Sequence, residues 1–309
     1  MHNREIPLFE RLEVETQSHC NRSCWFCPRV HDRTGAYLNQ NGEPVIRQMT
    51  SEKVLDILDQ AASLQFAGGV SFYFYSEALL DKRNLFFARE ARKRGMKPYL
   101  HTNGDALKNN SALTDAVSEV YEYVVIGIYD YQTDADLELA KDFWRQRMPR
   151  CDLRFSTIGD GPPGSARSMG TPRALVPTDR RFNVPDFTFR NAPCHRPLIR
   201  LILRHDGRMC MCCEDMRADF DLGNVHESTL EELWFSDRHV ALVKDLIAGH
   251  RERYALCRNC PLPPSGPSVE GKFAIERRNY VRETDSLIRA ESNSIGARLH
   301  PMGYEPRDP

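Results

Sequence analysis

The sequence predicts an α/β protein: a partial (β/α)5-6 barrel of TIM-like form, followed by a small α+β domain. Three observations carry this expectation. Short apolar or aromatic strand patterns alternate with amphipathic helical stretches from residue 10 to residue 157. Repeated strand–helix units of this kind imply parallel pairing and right-handed crossovers. The cysteines then fall into two sets, one directly after the first strand and one beyond residue 190 that includes a hairpin signal.

The first strand is expected over 10–17, where polar and apolar side chains alternate, and a cysteine loop follows it. Residues 28–49 are polar and turn-rich, a long loop that either covers a site or is a surface excursion. Thr50 is an N-cap for a helix from Ser51 to about Gln65, broken by Gly68 and Gly69. Val70–Tyr75 reads as an aromatic strand, Lys82–Arg94 as a helix stopped by Gly95, and Lys97–His101 as a third strand. Residues 111–120 are helical and Tyr123–Ile128 is an apolar strand. Thr133 opens a helix expected to turn Leu137, Ala140, Phe143 and Trp144 inward. Leu153–Thr157 is a fifth strand, and a sixth is placed only loosely, before Ala192. Five glycines or prolines between Gly159 and Gly164 begin a linker. The domains are therefore drawn at 1–190 and 191–262, with a linker and helical or frayed tail over 263–309.

Bulk composition narrows the function. The chain has 309 residues, and 42 basic against 43 acidic side chains leave a net charge of −1. No basic run offers a nucleic-acid footprint. No apolar stretch is long enough to span a membrane, and no signal-peptide core opens the chain. Ten cysteines in a chain without an export signal point to reduced thiols acting as metal ligands in the cytoplasm.

The chemistry begins with Cys20, Cys24 and Cys27, three thiols that one tight loop can turn onto a single inorganic centre. Iron–sulfur clusters commonly take four cysteines, and the next thiol is distant Cys151, so three ligands would leave one iron open. A zinc knuckle is the plainer alternative. The run Cys-x3-Cys-x2-Cys, with aromatic Phe26 before the last cysteine, resembles the radical S-adenosylmethionine (SAM) enzymes. The resemblance implies a 4Fe–4S cluster whose open iron chelates SAM, and a 5′-deoxyadenosyl radical that takes hydrogen from substrate. It also implies the open barrel, with ligands at the carboxyl ends of the strands. Glu77, in Tyr75-Ser76-Glu77-Ala78, stands where relatives carry a glutamate for the SAM ammonium, although the flanking glycines and proline of that motif are replaced. Its plainer role is a helix-start acid. Thr102-Asn103-Gly104 is similar to the segment beside the SAM ribose, which gives Asn103 a cofactor role. Arg154 and Ser156 are further SAM contacts on position alone.

The second set comprises Cys194, Cys212, Cys257 and Cys260. Leu198–Leu203 and Arg208–Met211 flank His205-Asp206-Gly207, a hairpin signal, and Ser228-Thr229-Leu230-Glu231 reads as a capping box opening a helix that breaks near Ser236 and ends by Gly249. Four thiolates fit a complete cluster or a structural zinc site. The hairpin, cysteine pair, Leu-Gly-Asn and Leu-Trp segments resemble the SPASM/twitch extension of radical SAM enzymes. With no cysteine after Cys260, the resemblance implies one auxiliary 4Fe–4S cluster. Cys151 is expected to be a small core residue. Cys213 and then Cys210 are packing thiols, alternative ligands, or donors returning a hydrogen atom to a substrate radical.

Relatives with one auxiliary cluster and no peptide-recognition domain resemble dehydrogenases and epimerases of sugars and aminocyclitols. With only 19 residues before Cys20, such a domain is not expected here. The implied reaction removes a carbinol hydrogen from a carbohydrate-like molecule and ends in epimerisation or dehydrogenation, the spare thiols leaning towards the first. An external donor such as flavodoxin or ferredoxin would supply electrons. A peptide-modifying enzyme and a non-catalytic electron-transfer protein are the alternatives.

Overall fold

A computed structural model describes residues 5–24, 27–32, 35–131, 133–157, 191–258 and 260. The expected linker after 159, the tail after 263 and the loosely placed sixth strand before Ala192 lie outside these residues, as does Phe26.

Strand β1 (Arg11–Val14) is the hub of the sheet. It pairs in parallel with β2 (Gly69–Ser71) on one side and β7 (Arg200–Leu203) on the other. β2 continues in parallel to β3 (Lys97–Pro98). After one residue the same run becomes β4 (Leu100–Thr102), which pairs in parallel with β5 (Val124–Ile128), and β5 with β6 (Leu153–Thr157). Tyr99 joins the two pieces, donating its N–H to Val70 O at 2.9 Å while Leu100 N reaches Tyr123 O at 3.2 Å. The result is an open parallel sheet in the order β6-β5-β4/β3-β2-β1-β7, extended by the antiparallel strand β8 (Met209–Cys210). Among the described residues, a sixth parallel strand is thus contributed by the second cysteine region, from the hairpin expected there.

Side chains on β1 alternate faces with the strand period of two. Leu12 and Val14 are fully buried against the helix layer, with Val54, Ile57 and Leu58 of α1 (Ser51–Ser63). Glu13 and Glu15 point the other way, into the concave face, and are equally buried. Helices α2 (Asn84–Lys93), α3 (Asp105–Lys108), α4 (Ser111–Val120) and α5 (Asp134–Arg147) complete the crossovers. α1 starts at a Thr50 cap, its hydroxyl accepting from Lys53 N at 3.2 Å, a contact contributing about 1 kcal/mol. α5 starts at a Thr133/Asp136 capping box. Leu137 and Trp144 face inward as expected, but Phe143 is 45% exposed on the outer side. At 100° per residue Phe143 falls beside exposed Leu139 rather than on the narrow buried stripe.

In the second region α6 (Arg196–Ile199) leads into β7, and α7 (Leu230–Trp234), α8 (Asp237–Ile247) and α9 (Ala255–Arg258) follow the hairpin. The capping box is Thr229 with Glu232, one residue later than the sequence suggested, because Thr229 takes the cap position itself. Ser236 caps α8, and Gly249 at φ +93° ends it. Trp234 is fully buried, donates Nε1 to Pro7 O at 2.9 Å, and packs edge-on to Phe9 at 5.2 Å. Leu230 N reaches Gln60 Oε1 of α1 at 2.8 Å. One apolar core therefore runs through both cysteine regions.

Candidate active site

The first cysteine loop leaves the carboxyl end of β1. Its start is fixed from two sides: Ser18 N donates to Arg47 O at 3.0 Å, and Gln17 Nε2 donates to Glu77 O at 2.9 Å. Arg29, just past the third cysteine, folds back and donates to Ser18 O at 3.1 Å and Cys20 O at 3.4 Å. Cys20, Cys24 and Cys27 are half-buried and close enough for each thiol to raise the charging cost of another. Burial, then Cys27 and Cys20, push Cys24 up to about 12. A bound metal reverses that preference and deprotonates the thiol. The long loop after the cysteines packs inward at Ala36, Tyr37 and Leu38, where Tyr37 N donates to Asp32 Oδ2 at 2.9 Å, and is exposed over 40–44 and 46–48.

A polar strut locks the same loop to the end of β4. Arg22 donates to both carboxylate oxygens of Asp105, with Nε at 2.7 Å, and pairs with Asp130 at 2.9 Å. Asn21 Nδ2 donates to Asp105 Oδ2 at 3.0 Å, and Asn21 Oδ1 accepts from Asn103 Nδ2 at 2.9 Å. Burial opposes the charge on Asp105, yet Arg22 holds its carboxyl down at about 2. Gly104, at φ +81°, allows this corner, because a Cβ there would stand 2.6 Å from Trp144.

Glu77 is buried beside the loop, near Cys20. Its carboxylate accepts from Asn103 N at 2.8 Å, Thr102 Oγ1 and Leu79 N at 3.2 Å, the last as the cap of a 3-10 turn over Ala78–Leu80. Both sequence readings of Glu77 are thus compatible with its place: it caps a helical turn and it sits at the cluster loop. Asn103 is at the same corner. Ser156 lies opposite Gly127 near the carboxyl end of β6. Arg154 is not brought there: it lies towards the amino end of β6, exposed, paired with Asp152 at 2.9 Å and stacked over Tyr123 at 3.7 Å.

The second set gathers from three elements. Buried Cys194 donates its N–H to Leu246 O of α8 at 2.8 Å, Cys212 follows β8, Cys257 lies in α9 and Cys260 just past it. Cys212 Sγ accepts from Glu214 N at 3.3 Å, and Cys194 Sγ from Arg196 Nη1 at 3.6 Å. Burial works against a charged Cys194, but the Arg196 and Arg251 guanidiniums hold its thiol below the ordinary range. Cys257 responds to Cys260 and Cys194 together, and Cys212 to Cys257 and Cys260. Among the described residues no three His, Cys, Asp or Glu side chains converge as they would on one ion. A cubane does not ask for that, since each cysteine ligates its own iron. All-thiol donor sets with N–H···S bonds fit such clusters at both places.

The spare thiols part company. Cys210 is wholly buried in β8, packed with Ile202 and Ala218, and burial pushes it well above the ordinary thiol range. It stands opposite Ile202, which is itself paired with Glu13, so it shares the sheet face of Glu13 beneath a packed apolar group. Cys213 is half-buried, and its charge would be felt by Arg200 and Tyr73. Cys151, expected in the core, is half-buried at its edge.

Between the two sets lies a polar wall that sequence reading missed. Glu13, 2% exposed, accepts from Tyr99 OH at 2.7 Å and Arg200 Nη1 at 3.0 Å. Tyr73 OH is 3.3 Å from His101 Nδ1, and Tyr99 stacks on Tyr123. Tyr75 ties this wall to the second set, its OH donating to Cys213 O at 2.9 Å and its N–H to Glu15 Oε1 at 2.8 Å. Cys27 and Leu256 pack against one small apolar group, Ala36, Tyr37, Tyr75 and Met216.

An open parallel sheet with a three-cysteine loop at the end of its first strand, backed by a second set of four cysteines, is the arrangement that the resemblance to radical SAM enzymes with a SPASM-type extension implies. Residues 194–261 match the SPASM family, an iron–sulfur cluster-binding domain. The chain is 28% identical over 266 residues to the S-adenosyl-L-methionine-dependent 2-deoxy-scyllo-inosamine dehydrogenase of Niallia circulans, covering 82% of this chain and 93% of that one. Among solved structures, BtrN in complex with AdoMet and 2-DOIA superposes with a TM-score of 0.63 at 24% identity, covering 83% of this chain and 94% of that chain. BtrN in an open conformation gives 0.57 with the same identity and coverage.

Proposed function

We propose that the protein dehydrogenates a secondary alcohol of an aminocyclitol-type ring. The observation that carries this is the buried Glu13–Arg200–Tyr99 cluster beside Tyr73 and His101, a wall of charges and phenols between two cysteine sets. A hydroxylated, amine-bearing ring offers many donors and a cation, and a wall of acceptors with few apolar groups recognises that pattern. The similar dehydrogenase and the BtrN complex support the same reading.

In this reading Cys20, Cys24 and Cys27 hold the SAM-binding 4Fe–4S cluster, and Cys194, Cys212, Cys257 and Cys260 hold the auxiliary one. SAM bound at the first cluster would supply a 5′-deoxyadenosyl radical to take the carbinol hydrogen, and the auxiliary cluster would take the electron left once the carbinol proton has gone. Glu77 accepts the SAM ammonium, and Asn103 lies along the ribose. Glu13 anchors the substrate amine while Arg200 and Tyr99 fix its carboxylate in place. Tyr73 orients His101, whose imidazole is the acceptor for the carbinol proton. Tyr37, with buried Ala36 and Leu38 beside it, keeps water from the radical. A low-potential donor such as flavodoxin or ferredoxin serves the first cluster, in a reducing cytoplasm that keeps ten thiols free. The domain division near residue 190 follows the two cysteine sets. Among the described residues no helix is long and apolar enough to cross a membrane.

Anaerobic incubation with SAM, a reductant and 2-deoxy-scyllo-inosamine tests the proposal. The expected outcome is one 5′-deoxyadenosine per product two hydrogens lighter. Half-buried Cys213, close to Arg200 and Tyr73, favours a second reading, epimerisation through a thiol hydrogen donor. Conserved product mass with deuterium taken up from heavy water, lost in Cys213→Ala, would select that reading. Failure to form 5′-deoxyadenosine with any alcohol would remove both.

A further inference from the structure

We propose that Arg196 tunes the auxiliary cluster towards its reduced state, making the second cysteine set an electron acceptor. This rests on the reading that Cys194, Cys212, Cys257 and Cys260 hold a cluster. Arg196 is the first residue of α6, two positions after Cys194, so its backbone is fixed against the ligand it serves. Its Nη1 lies 3.6 Å from Cys194 Sγ, an N–H···S contact, and its charge also reaches Cys213 and Cys260. Arg251, 1% exposed and held by a 3.1 Å bond from Nη2 to Pro193 O, brings a second guanidinium to Cys194 and Cys257. The acids of this set, Glu214 and Asp215, lie towards Cys212 and Cys257, and Asp215 is occupied by the N–H groups of Met211 and Asp219. The Cys194 corner meets the two cations.

Adding one electron makes a thiolate-ligated cluster more negative. A cation and an N–H bond at a ligand sulfur stabilise that extra charge, most of all where water is excluded. Arginine stays protonated at any working pH, so the effect is constant where a histidine's would titrate. The first set is arranged otherwise. Arg22 beside Cys24 is paired with Asp105 and Asp130, and Arg29 beside Cys20 is opposed by Glu77. The fold thus places two guanidiniums beside a ligand at the end where an electron would arrive from a substrate radical.

The test is a potentiometric titration of the auxiliary cluster, read by its one-electron-reduced spin signal. The full chain is used with Cys20, Cys24 and Cys27 changed to Ala, so that one cluster reports. Absence of about four irons in this parent removes the auxiliary-cluster reading itself, separately from the role of Arg196. In Arg196→Met the reduced-to-oxidised ratio at a fixed potential should fall at least tenfold, about 59 mV for one electron. Arg196→Lys, which keeps the charge without the fork, should recover part of the shift. If Arg196→Met sheds its iron, Arg196→Gln is titrated in its place. An unchanged potential in the iron-replete Met or Gln variant overturns the proposal.

Discussion

Glu77 shows how far a single residue could be read. Its distance after the second strand marked it, but its surroundings come from Thr102 and Asn103 on another strand. Burial pushes its carboxyl above the ordinary range, against three hydrogen bonds that favour the charge. A raised carboxyl contributes stability that is complete below the unfolded value and lost as pH rises through the folded one. A bound ammonium reverses this by favouring the carboxylate, so SAM binding releases a proton. SAM affinity should therefore rise with pH through that range, as measured by equilibrium binding, and Glu77→Gln should flatten the profile. The same variant should weaken binding by about 1.5–3 kcal/mol, the worth of a charged hydrogen bond. A flat profile in the unaltered protein would leave Glu77 as a helix-turn cap only. Asp105 has the opposite sign. With its carboxyl near 2, its bond to Arg22 is present above the unfolded value of about 3.9 and lost as pH falls towards 2. Asp105→Ala should cost about 1–2 kcal/mol at pH 7 in thermal unfolding of the metal-free chain, and should lose most of that penalty by pH 2. An equal penalty at both pH values would assign the loss to packing.

At the scale of elements, helices were legible because cap, apolar stripe and glycine stop are local signals; α4 and β6 fall where the sequence put them. The strand β2 is shorter than its aromatic run, because Tyr73 and Tyr75 leave the ladder to line the site. The polar face of β1 was visible as alternation, but alternation alone does not tell solvent from a chamber. Glu13 meets Arg200 and Tyr99 only after long-range pairing. The Asn-Gly corner at 103–104 looked commonplace and is not. Gly104→Ala would force a side chain into left-handed backbone and against Trp144, a loss of about 2–4 kcal/mol. Thermal unfolding should show it, and iron retention in the first loop should fall with it. A stability within 0.5 kcal/mol of the original would mean that α5 yields at Trp144 at little cost.

For the whole molecule, the two cysteine sets were legible as two groups from spacing, while their shared sheet was not. Reconstituted protein should hold about eight irons, and changing Cys194, Cys212, Cys257 and Cys260 together to Ala should halve that count. A zinc second site would leave iron at about four in both. Because β7 pairs with β1 and Trp234 reaches Pro7, the metal-free chain should unfold in one cooperative transition. Two separated transitions would show that the halves are independent.

The neighbour of β1 on one side is made roughly 190 residues after it. At elongation rates of about 5–20 residues per second that is a wait of about 10–40 s on the ribosome. Through that interval the hub strand holds a bare edge of N–H and C=O groups, next to a cysteine loop already free of the exit tunnel. Assembly of this sheet is therefore slow by topology, and its nascent form is open to wrong pairing and to premature metal capture.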